Sequence, residues 1–250
     1  AMDSIEDSIE QPKQLQLSIT SEQYDTFQKL RVKYYNNSLS EITPPEKFPL
    51  FRFTHKKHNY ELFVLGTRHD LPFESLPNWF SNFIKNKVEE VCIECDFLNA
   101  FLNSKKQQTY DSLDTKTSEA VSSFLDAFLK IFSKTTSDLS IQETYALVMG
   151  YDAVIGMDAT IEALSLNLGK PVVLLDKQIN IAEKSLELHK LSIERYIEFL
   201  EDHLLTLSTE EEILNTQERL KKQQNFLKMT DEKLMISYIK AIVPHLQEGQ

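Results

Sequence analysis

Leu62-Phe63-Val64-Leu65-Gly66-Thr67-Arg68-His69-Asp70-Leu71-Pro72 is the stretch on which the fold turns. A run of four apolar residues closed by a glycine has the pattern of a buried strand. Gly66 lets the backbone turn without a Cβ clash. Residues just past such a strand fall in the crevice where open α/β sheets bind ligands, so His69 is expected at the mouth of the sheet.

Working outward, Pro49 to Thr54 alternates apolar and polar residues, and His55-Lys56-Lys57-His58-Asn59 forms a polar turn before Tyr60. Together with the organising strand this predicts a β-hairpin. His55 and His58 are read as solvated turn residues. On the other side, Leu76 to Lys87 reads as an amphipathic helix with Trp79, Phe80, Phe83 and Ile84 on its buried side. Val88 to Asp96 reads as the next strand. Strand, helix and strand make a βαβ unit, which sets the strand end carrying Glu94 and Asp96 beside His69. Two residues apart on a strand, those acids would share one face.

A second βαβ unit is expected further on. Ala153-Val154-Ile155-Gly156-Met157-Asp158 reads as a strand, Thr160 to Leu168 as a helix closed by Gly169, and Pro171 to Asp176 as a buried strand. Asp158 and Asp176 would then sit at two more strand ends. The remaining segments read as helices: one from Ser21 to about Asn36, one over Ser118 to Phe132, and one from Ser140 to Met149 with Gly150 as its C-cap. Three long charged helices follow, over Gln178 to Leu207, Ser208 to Met229, and Thr230 to Leu246. Residues 1 to about 20 read as a loose arm, Thr43-Pro44-Pro45 as a loop, and 99 to 116 as an excursion or lid. The expected class is therefore α/β. A mixed sheet is built on two βαβ units with flanking helices and a long helical C-terminal region, as a single domain over residues 21–250.

Composition narrows the function. Among the 250 residues, acids outnumber bases to give a net charge of −11. So acidic a chain will not hold a phosphate backbone by bulk charge, which argues against nucleic acid, and the same balance argues against an anionic membrane surface. No apolar run reaches the length of a membrane span. No signal peptide opens these residues, for which a soluble form is expected, and Ala1-Met2 reads as a cloning scar, which leaves room for a native leader and the localisation open. Two cysteines exclude a disulfide framework, and Cys92 and Cys95 are read as small buried hydrophobes on opposite strand faces.

The chemistry is concentrated at the strand ends. His69, Glu94, Asp158 and Asp176 are candidate ligands for a divalent metal, because imidazole and carboxylate together suit zinc, manganese, iron or cobalt. Such a metal lowers the pKa of bound water, and a free carboxylate beside it serves as general base. His69 and Glu94 are the candidate catalytic pair. The sequence carries no Gly-rich phosphate loop, no G-x-S-x-G elbow and no HExxH helix.

Leu65-Gly66-Thr67-Arg68-His69 followed by Leu71-Pro72 resembles the first G-x-x-H motif of the TraB/GumN/TIKI family. Ile93-Glu94-Cys95-Asp96 is similar to that family's acidic strand end. Gly156-Met157-Asp158, Ala163 and Gly169-Lys170-Pro171-Val172 resemble its next segment, and Leu174 to Gln178 stands where the family has a glutamate, here Asp176. The resemblance runs from about residue 60 to residue 180. It implies a mixed α/β fold shared with erythromycin-esterase-like and ChaN-like proteins. For the TIKI members it implies metal-dependent proteolysis of a peptide or protein substrate. His69 matches the first motif histidine and Glu94 the acid. A second G-x-x-H, expected on a C-terminal strand, does not occur in these 250 residues: His245 has no glycine three positions before it. The resemblance therefore implies weak metal binding and little hydrolysis by this form. A catalytically inert protein-interaction module working through the long helices, and a ChaN-like haem or iron binder, are the competing readings.

Overall fold

The computed structural model of the chain describes residues 12–36, 49–102, 113–176 and 180–248. Among the described residues 63% are helical, so helices carry the core and the strands are short. The α/β class with a helical C-terminal region is what the chain adopts.

The chain begins with a short strand, β1 (Lys13–Gln14), and the helix α1 (Ser21–Tyr35). Thr20 and Gln23 cap α1 reciprocally, each side chain bonded to the other's backbone N–H. This box satisfies two donors that a helix start leaves open. β2 (Leu50–Thr54) and β3 (Glu61–Leu65) then form the antiparallel hairpin, in the register Leu50↔Leu65 to Thr54↔Glu61. A 3₁₀ turn (Phe73–Ser75) leads to α2 (Phe80–Lys87) and β4 (Val91–Ile93). After a second 3₁₀ turn (Ala100–Leu102) come α3 (Thr115–Lys130), α4 (Ile141–Met149), α5 (Tyr151–Ile155) and α6 (Met157–Asn167). β5 (Val172–Leu174) precedes three long helices, α7 (Ile181–Leu204), α8 (Glu210–Lys228) and α9 (Asp231–Glu248).

β4 and β5 are parallel, with Val91 opposite Val172, and β1 adds antiparallel to the other side of β5. The pairing continues past the strands, where the N–H of Asp176 donates to the carbonyl of Glu94 at 2.9 Å. Glu94 and Asp176 thus end adjacent parallel strands.

Four expectations for the sheet are corrected. β3 is largely exposed rather than buried, with Leu62 54% and Val64 45% open to solvent, because it pairs with β2 alone among the described residues and has no sheet neighbour on its other side. Residues 153–157 are helical, not a strand: Tyr151, Val154 and Ile155 are buried at helical spacing, and α5 ends at Gly156 where α6 begins. A short apolar run fits either period, and packing decided for the helix. The expected strand over 88–95 shrinks to Val91–Ile93 and does not pair with β3, which bonds only to β2 among the described residues. Consequently the parallel pair is β4–β5, crossed over through α3 to α6, rather than two separate βαβ units. Lastly, residues 13–14 of the expected arm are a strand; residues 1–11 lie outside the described residues, as do the Thr43-Pro44-Pro45 loop and Lys177 to Ile179.

α6 lies at the centre. Every residue from Ala159 to Leu166 is buried, the signature of a helix enclosed on all sides. Ala159, Ala163 and Leu166 join the main core with Phe124, Leu125, Phe128, Tyr145 and Ile239. Met157, Ile161 and Leu164 join a second cluster with Leu76, just after the first 3₁₀ turn, and with Phe80 and Ile84 of α2. Trp79, expected on the buried side, is 48% exposed, because α2 starts one residue after it. The expected lid is anchored at its near end, where Ala100, Phe101 and Leu102 are buried; residues 103–112 lie outside the described residues.

Candidate functional site

His69 lies four residues beyond β3, in a turn pressed against the start of α6. A Cβ on Gly156 would stand 1.9 Å from the His69 carbonyl oxygen. Only glycine permits this backbone-on-backbone approach, and it brings the His69 ring to the first turn of α6. There Nδ1 lies 2.8 Å from Oδ2 of Asp158. The other Asp158 oxygen accepts a 2.5 Å bond from the Thr67 hydroxyl. Asp158 therefore uses both oxygens to hold the Thr67–His69 turn, and its place in the first helical turn suits a carboxylate.

The Asp158 bond puts the His69 proton on Nδ1 and leaves Nε2 as the free nitrogen. Nε2 faces Glu94, with Oε2 3.8 Å away. Both groups are accessible, the His69 side chain at 50% and Glu94 at 62%. The Phe97 ring packs on His69 at 4.9 Å between centroids.

Beneath this pair lies a buried acid. Glu162, one turn along α6 from Asp158, accepts the Phe97 N–H at 2.8 Å and the Leu98 N–H at 3.4 Å. Burial, then the neighbouring Asp96, raises its pKa well above the ordinary value. Asp96 is itself pushed up by burial, offset by Glu162 and by the Asn99 and Leu98 N–H groups. Cys95, between the two acids, is raised to about 12 by burial and by Glu94, Glu162, Asp96 and Asp158, so it is no thiolate nucleophile.

The structure thus brings His69, Glu94 and Asp158 together and sets Asp176 beside Glu94 through the backbone, its side chain exposed. Glu94 and Asp96 do not share a face: β4 ends at Ile93, alternation stops, and Glu94 is exposed while Asp96 is buried. Cys92 is exposed rather than buried, and Cys95 is half-buried; both are free. Thr67, Glu162 and the glycine contact at Gly156 escaped the sequence reading. The signal for Glu162 was an acid on an apolar stripe with Ile161, Ala163 and Leu164.

His69 Nε2 and a Glu94 oxygen fit a shared divalent ion. Metal–nitrogen and metal–oxygen bonds of about 2.0–2.2 Å set two ligands roughly 3.4 Å apart at a tetrahedral angle, against the 3.8 Å found. Asp158 orients the imidazole from behind, the outer-shell role that carboxylates take toward metal-bound histidines. No group of three or more histidine, cysteine or acidic side chains converges as a complete cage among the described residues. A separate cavity of about 250 Å³ opens between α1 and α3, lined by Leu30, Tyr34, Phe124 and Tyr151 among others, and contains none of these site residues. No family model, no curated protein and no solved structure matches this chain.

Proposed function

We propose that this chain is a TraB/GumN/TIKI-like protein of the metal-dependent hydrolase, peptidase type, with its centre at His69 and Glu94 and with little hydrolysis by this form. The observation that carries the reading is the disposition of His69. Asp158 holds Nδ1, and the free Nε2 is turned on a carboxylate 3.8 Å away. Two lone-pair donors facing each other across that gap would hold a positive charge between them, either a proton on the imidazole or a metal ion. A divalent metal bound there would lower the pKa of a bound water and polarise a carbonyl. His69 and Glu94 would hold the ion, and the exposed carboxylate of Asp176 is the candidate third donor on the same strand edge. Asp158 fixes the ring and its tautomer, while Glu162 holds the Phe97–Leu98 backbone from which Glu94 projects back toward His69.

Two donors make for a weak site, since a catalytic zinc usually has three protein ligands. The test is a calorimetric titration with Mn, Co, Zn and Fe(II), run beside a peptide-library digest. One saturable site, lost in both His69→Ala and Glu94→Ala while thermal melting stays near wild type, is the expected result. A metal isotherm unchanged by both substitutions refutes the assignment. Haem absorbance that depends on His69 would instead point to a ChaN-like binder.

A second reading has its own observation. α7 exposes Leu188, Leu191, Tyr196 and Phe199, and Tyr196, Phe199 and His203 stack in a ladder with centroids 6.1 and 5.6 Å apart. A protein-interaction module would use this face. Absence of metal, haem and cleavage together favours it.

A further inference from the structure

The β2–β3 hairpin is exposed from Phe51 to Leu62, and its two faces differ. Antiparallel register puts Phe51 opposite Val64 and Phe53 opposite Leu62, so these four share one face. Continuing the alternation adds Tyr60, whose ring packs on His55 at 5.1 Å. All are open to solvent: Phe51 59%, Phe53 54%, Tyr60 57%, Leu62 54% and Val64 45%. The opposite face carries Arg52 paired with Glu61, and Phe63 packed on Phe83 of α2, so that side is already engaged. An apolar face of this kind reaches the few-hundred-Å² scale at which exposed patches mark interaction sites.

The charge on the hairpin says what covers it. Arg52, Lys56 and Lys57 against Glu61 give +2 over residues 49–64, in a chain of −11. Arg52 and Glu61 neutralise each other across the strands at 2.6 Å, which leaves Lys56 and Lys57 at the tip with no acidic partner among the described residues. The tip is held in shape by His55, whose Nδ1 accepts the N–H groups of Lys57 and His58 at 3.0 Å each. An apolar, aromatic face bordered by lysines is the layout of an element that lies in the interface of an anionic bilayer. The rest of the chain, at −13 by difference, is repelled by such a surface and so orients the molecule hairpin-first. A five-residue strand spans about 16 Å, twice the screening length of about 8 Å at physiological salt, so the acidic body does not cancel the local attraction.

We propose that the β2–β3 hairpin is a membrane-docking element that lays Phe51, Phe53, Tyr60, Leu62 and Val64 into the interface of an anionic lipid bilayer, with Lys56 and Lys57 on the headgroups. Among the described residues no helix is long and apolar enough to cross a membrane, so the contact is peripheral. β3 runs directly into Gly66 and His69, which sets the candidate site beside the surface. The docking does not depend on what that site does.

The experiment is co-sedimentation of the full chain with phosphatidylcholine vesicles, with and without phosphatidylserine, at low and high salt. Light scattering on the free protein and binding of a polyglutamate peptide run beside it. Binding to the anionic vesicles that weakens with salt is the expected result. Lys56→Glu with Lys57→Glu should weaken it at least about fivefold per lysine, and Phe51→Ser with Phe53→Ser at least about tenfold. The lysine variant lies in a solvent-exposed turn and stays informative if the phenylalanine variant misfolds. No vesicle binding, or binding indifferent to phosphatidylserine and to the lysine reversal, overturns the proposal. So does a dimer that dissociates in the phenylalanine variant, which would give the face to a second copy. Retention on polyglutamate in place of vesicles would give it to an acidic protein.

Discussion

Gly156→Ala tests the geometry on which the whole site rests. The backbone at Gly156 has φ −76° and ψ −166°, a region open to any residue, so the substitution carries no conformational penalty of its own. The cost is contact. An added Cβ would meet the His69 carbonyl oxygen at 1.9 Å, the His69 carbonyl carbon at 3.0 Å and the Asp152 carbonyl oxygen at 2.7 Å. All three are backbone atoms and none can swing aside. Moving the oxygen from 1.9 Å to 3.0 Å displaces the His69 turn by 1.1 Å. If the turn recedes straight from α6, the 2.8 Å bond between His69 and Asp158 opens to about 3.9 Å and is lost. The Thr67 bond to Asp158 goes with it. Overpacking strain together with two partly exposed hydrogen bonds amounts to about 2–4 kcal/mol.

Urea unfolding measures the stability, and histidine NMR follows the His69 ring. The expected outcome is a lower midpoint at unchanged slope, with His69 resonances moved toward a free imidazole. A variant within about 0.5 kcal/mol of wild type with an unmoved His69 signal would refute the close approach, and with it the placement of His69 on α6.

Other outcomes follow from the same contacts. Gly169 has φ +70° with open space around it, so Gly169→Ala should cost about 1 kcal/mol of left-handed strain in urea melts while leaving the His69 signal alone. Asp158→Asn should lower metal affinity about 10- to 100-fold in calorimetry through loss of the ring's support; an unchanged isotherm would argue that Asp158 does not orient His69. For Glu162→Gln the readout is stability against pH. The unfolded chain releases this proton near 4.5 and the folded one holds it well above. Between those limits the folded state binds the extra proton, and wild-type stability falls as pH rises, by up to about 1.4 kcal/mol per unit. Glutamine lacks the slope, so the variant should gain on wild type from pH 4.5 upward, and parallel profiles would mean Glu162 is ionised in the fold.

Local signals carried much of this structure. Alternation marked the first strand of the hairpin and an apolar run the second, although that run is exposed rather than buried; the Ser140–Glu143 box opened α4 where its residues predict, and Gly150 and Gly169 closed their helices. What failed was pairing and period. Ala153-Val154-Ile155 is too short to distinguish helix from strand by itself, and Val154 and Ile155 are decided by burial against the main core. Which strand neighbours β4 depends on contacts far along the chain, so the reading chose β3 by proximity in sequence while the backbone chose β5. Asp158 came near His69 all the same, but from the start of a helix instead of the end of a strand.

That last difference changes what builds the site. In a βαβ unit, sheet hydrogen bonds would set His69 beside Glu94. Here β3 and β4 share no ladder, and α6 does the joining. Asp158 and Glu162, four residues apart, lie on one side of the helix. Asp158 holds the turn after β3 through Thr67 and His69, and Glu162 holds the segment after β4 through the Phe97 and Leu98 N–H groups. The two anchors differ in kind. Asp158 grips side chains at a half-open surface, whereas Glu162 grips backbone in the core, where burial raises its pKa. Both strand ends are therefore tied to one side of one helix, and the small residues Ala159 and Ala163, fully buried against the main core, leave that helix little room to turn.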